Sequence, residues 1–178
     1  GRGATSSPSA ASPTDRRGPR QPPRSPAHRV ERELLKLALQ RPELVAPAFD
    51  AYAAAEFTAE SYALVRTAVA AAGGVTGADR DYLPRVRDAA PDDRVRGLIT
   101  ELTVEPLRTT READEVYAGE QLIAVRLAAV DARVAELESS ARRMEARRDF
   151  EGSAPVREQL WTLQQYGRGL RERGAAAL

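Results

Sequence analysis

The most restrictive feature of this sequence is a heptad running from about Thr109 to Arg148. Val116, Ile123, Val130, Leu137 and Met144 recur on one row, and Leu127, Val134 and Ala141 on the other. Steps alternating by three and four keep these side chains on one stripe of a helix, facing one partner. Gly119 is the one break in the pattern. Thr109 and Glu112 have the spacing of a capping box, and Arg147 and Arg148 oppose the negative end of the helix dipole. At roughly 1.5 Å per residue such a helix is about 55–60 Å long. A compact domain of this size does not need that length, so the helix is expected to project.

The segment after it supplies a partner. Val156, Leu160, Leu163, Gly167 and Leu170 repeat by four and three. Asp149 to Ser153 reads as a turn, with Ser153 as cap and Pro155 in the first helical turn. Folded back, this helix sets Leu160 near Met144, Leu163 near Ala141 and Gly167 near Leu137, small against large. It runs out of apolar residues opposite about Val134 or Val130. Val116, Ile123 and Leu127 then need cover from upstream.

Five short helices can provide it. Ser25-Pro26 opens the first, whose stripe is Val30, Leu34, Leu37 and Ala38 and which ends at Arg41-Pro42. Pro42 to Val45 opens a second, bent or restarted by Pro47 before Phe49 and Tyr52. Tyr62, Val65, Ala68, Val69 and Ala72 mark a third, stopped by Gly73-Gly74. Tyr82, Leu83 and Val86 mark a fourth, and Val95, Leu98, Ile99 and Leu102 a fifth. Nothing alternates with period two. The expected fold is all-α: a small bundle over 28–110, then a long helix and C-terminal antiparallel helical hairpin over 111–178.

Residues 1–27 are rich in Pro, Arg, Ser, Gly and Ala with no large aliphatic side chain, the composition of a disordered linker that implies a preceding domain. Residues 1–29 hold six arginines and one acid, net +5, and the remainder 21 basic and 25 acidic groups, net −4. A slightly acidic folded part argues against a dedicated nucleic-acid domain, leaving weak, salt-sensitive phosphate contact through the basic segment. There is no membrane-length apolar run and no cysteine. Cytoplasmic residence is compatible with both.

Catalytic patterns are missing. His28 is the lone histidine, and Asp79, Asp81, Asp88, Asp92 and Asp93 lack the spacing of a calcium loop. No phosphate-binding glycine loop and no nucleophile–base pair is present. The expectation is a binding module without catalytic, cofactor or metal residues.

Glu33-Leu34-Leu35 and Leu37 through Leu44, a leucine-rich helix ending in Arg-Pro-Glu-Leu, resemble the first-helix motif of the C-terminal domain of bacterial DnaG-type primases. The order of parts over residues 28–178 is similar too, and the arginine and alanine bias looks actinobacterial, even mycobacterial. The resemblance implies docking on the hexameric replicative helicase with the hairpin as principal contact. It also implies a possible second partner, the acidic tail of the single-strand-binding protein. Zinc, magnesium and primer synthesis would then belong to domains before residue 1. A second, local resemblance joins Met144 to Gln159, through Asp149-Phe150-Glu151, to the UvrB/UvrC repair hairpin. A generic coiled-coil dimeriser is the third reading.

Two surfaces are the candidate contacts. On the hairpin, Trp161 shares its side with Arg157, Gln164, Gln165 and Arg168, and Phe150 stands at the turn. Trp161 is either a contact anchor or an edge of the seam. On the bundle, Arg29, Arg32, Lys36 and Arg41 flank the first helix, as a solvated basic face or as a seat for an acidic tail.

Overall fold

The computed structural model describes residues 26–178. The linker expected over 1–27 therefore lies, but for its last two positions, outside the described residues. Regular structure among those residues is entirely helical: α1 Pro26–Gln40, α2 Pro42–Val45, α3 Glu60–Ala71, α4 Tyr82–Asp88, α5 Asp93–Val104, α6 Glu115–Ala146 and α7 Phe150–Arg173. Short 3₁₀ turns at Ala48–Ala51, Ala54–Glu56 and Gly174–Ala177 complete the chain. The all-α architecture expected from the periodicity is the one observed.

α1 is the axis of the bundle. Leu34, Leu35, Leu37, Ala38 and Leu39 are all buried, and the helix touches α2, α3, α5 and α6. A helix covered on every side must satisfy its charged residues internally. Glu31 accepts from Thr58 N (2.9 Å), Thr58 Oγ1 (2.6 Å) and Ala59 N (3.3 Å). Ala59 has no side-chain oxygen to start α3, so a carboxylate from α1 does it. Glu33 accepts from the Tyr117 hydroxyl and from Arg108 N, each at 2.6 Å. Lys36, 1% exposed, pairs with Glu33 at 2.6 Å and donates to Pro106 O at 2.7 Å. These bonds fasten α1 to the connector before α6 and to the first turn of α6.

A second set of contacts fixes α6 where it leaves the bundle. The Tyr52 hydroxyl donates to Leu122 O at 2.7 Å, and burial pushes that phenol up to about 12. The Arg126 guanidinium lies 3.9 Å from the centre of the Tyr52 ring and 3.1 Å from Glu56. Asp50 organises the loop beneath by accepting from Val75 N at 2.8 Å and Thr76 N at 3.0 Å. Gly74 is required there: φ is +75°, and a Cβ would lie 2.5 Å from Asp50 Oδ1.

The long helix departs from expectation at both ends. Its cap is Asp114, accepting from Tyr117 N at 2.8 Å, while Thr109 bonds within its own turn to Arg111. Val116 is 71% exposed rather than in the seam. A straight α-helix drifts about 20° per heptad, so a strict seven-residue row cannot face one way over four repeats. At the bundle end the buried positions are Ala118, Leu122 and Val125; toward the tip they are Val130, Leu137 and Ala141.

The hairpin turn is tighter than expected. Asp149 caps α7 by accepting from Gly152 N at 2.8 Å, and Ser153 lies inside the helix, bonded to Phe150 O. Only Arg147 to Asp149 separate the helices, with Arg148 at φ +59°. The shorter turn shifts the register. Gly167 faces Val130, not Leu137, with a Cβ there 3.3 Å from Val130 Cγ1. The chain then reaches Gly119, where a Cβ would lie 3.3 Å from that of Ala175. The return therefore does not run out near Val130, and α6 passes Gly119 without interruption. The seam of the heptad closes within one chain.

Replacing Lys36 by Ala leaves the Glu33 carboxylate buried without its ammonium partner. The expected loss of stability is about 3–5 kcal/mol, read by urea unfolding. A change within experimental error would remove the pair from the architecture.

Candidate docking surface

On α7, successive residues turn by about 100°, so steps of seven, four and seven return to one side. Phe150, Arg157, Trp161 and Arg168 have these steps, and all four are exposed. The seam residues Gly167 and Leu170 lie on a different side, about 100–160° round the helix from the stripe. Phe150 and Trp161 are each 63% exposed, so Trp161 stands clear of the seam rather than closing its edge. Arg157 donates from Nε to Glu145 Oε1 at 2.9 Å, which ties its stem across the hairpin. Gln164 is exposed beside the stripe, and Gln165 is partly covered. Another side of α7 carries a shallow groove lined by Pro155, Glu158, Gln159, Thr162 and Leu163.

The bundle residues do not form the free basic face that was expected. Lys36 is buried, and the Arg32 guanidinium is taken by Glu101 and Glu105, with Nε 2.9 Å from Glu105 Oε2. Arg41 pairs with Glu43 at 2.6 Å and with Glu112 at 3.6 Å. Arg29 alone of the four is left exposed on this side without a carboxylate among the described residues. A seat for an acidic tail built on Arg32 and Lys36 is therefore corrected to an internal ion-pair cluster. Glu101 and Glu105 lie some 70 positions along the chain from Arg32, so the sequence of α1 alone held no sign of them.

The Arg32 guanidinium holds the Glu105 carboxyl below the usual carboxylate range, with Lys36 assisting. His28 meets the Tyr62 ring edge-on at 6.4 Å. Among the described residues no three His, Cys, Asp or Glu are grouped to hold a metal ion, and no helix is long and apolar enough to cross a membrane. A further cluster lies at the turn. Arg142, Arg143, Arg147 and Arg148 are all exposed around the hairpin turn. Their crowding is visible in the sequence, where the helix dipole accounts for Arg147 and Arg148 alone.

The structure is thus an all-helical bundle with a projecting two-helix hairpin that displays an aromatic and arginine stripe. Residues 31–151 match the family model described as DNA primase DnaG DnaB-binding, and the chain belongs to that family. It is 52% identical over 168 residues to a DNA primase of Streptomyces coelicolor, covering 91% of this chain and 26% of that protein. A DNA primase of Mycobacterium leprae is 35% identical over 136 residues, covering 74% and 21%. Among solved structures, the helicase binding domain of primase from Mycobacterium tuberculosis superposes with a TM-score of 0.63 at 30% identity, covering 83% of this chain and 92% of that one. The chain spans about a quarter of the length of the primases it matches. The family match ends at Glu151, so Trp161 and Arg168 lie beyond it.

Two outcomes follow from this geometry. Trp161→Ala should leave the melting temperature within about 1–2 °C, since a mostly exposed side chain away from any packing site changes stability little; a larger drop in calorimetry makes it a packing residue. Glu105 has a depressed folded pKa, so its contribution is complete above the unfolded carboxylate value of about 4.3 and fades as pH falls through the folded value. Glu105→Gln should flatten the acid limb of a stability–pH curve, and an unchanged limb would contradict the pairing.

Proposed function

We propose that this chain is a docking module that binds a replicative helicase through the hairpin, with α7's exposed stripe as its contact. The observation that carries the reading is the pair of 63% exposed aromatics, Phe150 and Trp161, on one stripe of a helix whose seam is buried at Ser153, Gly167 and Leu170. Large aromatics and arginines dominate binding energy where they enter a partner's pocket. Exposed aromatics sharing one stripe suit an interaction surface. The family's description and the printed name of the Mycobacterium tuberculosis structure support a helicase as the partner.

On this reading the chain has no catalytic step and needs no cofactor of its own. It holds the remaining three quarters of a primase, where primer synthesis takes place, beside the helicase. The bundle sets the angle of α6, and α6 and α7 carry the contact surface away from it.

Trp161→Ala should weaken helicase binding by about 30-fold, the equivalent of about 2 kcal/mol, in calorimetric titration of the folded variant. Binding at full strength by a folded double variant, Phe150→Ala with Trp161→Ala, would reject the stripe as the contact.

A further inference from the structure

The tip of the hairpin carries a cluster of exposed arginines. Along the hairpin three arginines are taken up internally, Arg133 by Glu136, Arg157 by Glu145 and Arg171 by Asp131, while Arg168 and Arg173 stand singly on α7. Arg142, Arg143, Arg147 and Arg148 differ in being crowded within seven positions, all four without a side-chain ion pair or hydrogen bond among the described residues. Residues 142–157 hold five arginines against Glu145, Asp149 and Glu151, net +2. Residues 26–178 together hold 22 basic and 25 acidic groups, net −3, so everything outside the tip is net −5. Five exposed aspartates, Asp79, Asp81, Asp88, Asp92 and Asp93, lie on or beside α4 and α5 in the bundle. The charge is therefore uneven: net +2 at the tip against net −4 over residues 111–141 and net −2 over residues 26–110.

We propose, resting on the helicase-docking reading, that the four arginines form a cationic collar beside Phe150 and that the helicase surface it meets presents carboxylates. An uneven charge distribution turns the tip toward an acidic surface before contact and raises the association rate. Guanidinium groups suit this role because their planar fork pairs with carboxylates at two points. Three features favour a protein surface over a nucleic-acid backbone. The net negative charge of residues 26–141 opposes a long polyanion. Asp149 and Glu151 interrupt the arginines, which opposes an unbroken row of phosphates but fits a patterned protein face. Phe150 and Trp161 beside arginine have the composition of binding hot spots.

The test compares the full chain with a folded Arg142→Glu, Arg143→Glu, Arg147→Glu variant. Arg148 is left in place because its backbone is left-handed. Association rates with purified helicase are measured from about 0.01 M to about 1 M ionic strength, over which the screening length shrinks from about 30 Å to about 3 Å. The wild-type rate should fall steeply with salt. At low salt the triple variant should associate at least about tenfold more slowly, lose most of the salt dependence and keep its melting temperature. The corresponding triple Gln variant should fall between the two, and it carries the test alone if the Glu variant does not fold. Arg94→Glu, an exposed reversal on α5, should behave as wild type or bind faster. A triple variant with wild-type rate and salt slope overturns the collar and leaves helicase docking intact. A wild-type chain that binds no helicase at any ionic strength overturns the docking reading itself. Binding to a single-stranded oligonucleotide that is lost in the triple variant, with helicase association unchanged, assigns the arginines to nucleic acid and overturns the proposal.

Discussion

The Lys36 ammonium joins two places far apart in the chain: Glu33 on its own helix and the carbonyl of Pro106 in the connector ahead of α6. Much else depends on that junction. With Glu33 also receiving the Tyr117 hydroxyl, the start of the long helix is pinned to the centre of the bundle rather than to its rim. A buried ion pair is a weak source of net stability, because desolvation consumes most of its attraction. Its directional bonds act differently from an apolar contact. Leucines could slide along α1, whereas a carboxylate with a phenol, an amide and an ammonium around it has one position.

α6 serves two cores in succession. Ala118, Leu122 and Val125 complete the bundle, and Val130, Leu137 and Ala141 complete the hairpin. The change from one buried side to the other uses the drift of the α-helix against a seven-residue repeat. Gly119 and Gly167 let the return segment lie close along this path, one against Ala175 and the other against Val130. The outcome is a surface carried well beyond the bundle whose own folding is complete.

Local pattern made the helices legible. The stripe Tyr62, Val65, Ala68, Val69 and Ala72 is buried as its spacing implied, and Gly73-Gly74 ends that helix. The first-helix motif pointed to the family that the comparison then gave. What the sequence concealed was long-range. Arg32 and Lys36 looked like a basic face because Glu101 and Glu105 are remote in the chain and adjacent only after folding. The hairpin register was misplaced because a left-handed residue at Arg148 permits a turn shorter than the Gly-Ser pair suggested. Trp161 could be located on α7 from its spacing, but its freedom from the seam required the packed helix pair.

The grip of Tyr52 and Arg126 on α6 has a mechanical consequence. From Arg126 to Ala146 the helix extends about 30 Å with no bundle residue beneath most of it. With the fulcrum at one phenol, one guanidinium and one carbonyl, a tilt of about 10° there carries the tip by about 5 Å over that arm. The reach and bearing of the whole hairpin are thus decided by a few side chains at its base, about 30 Å from the tip.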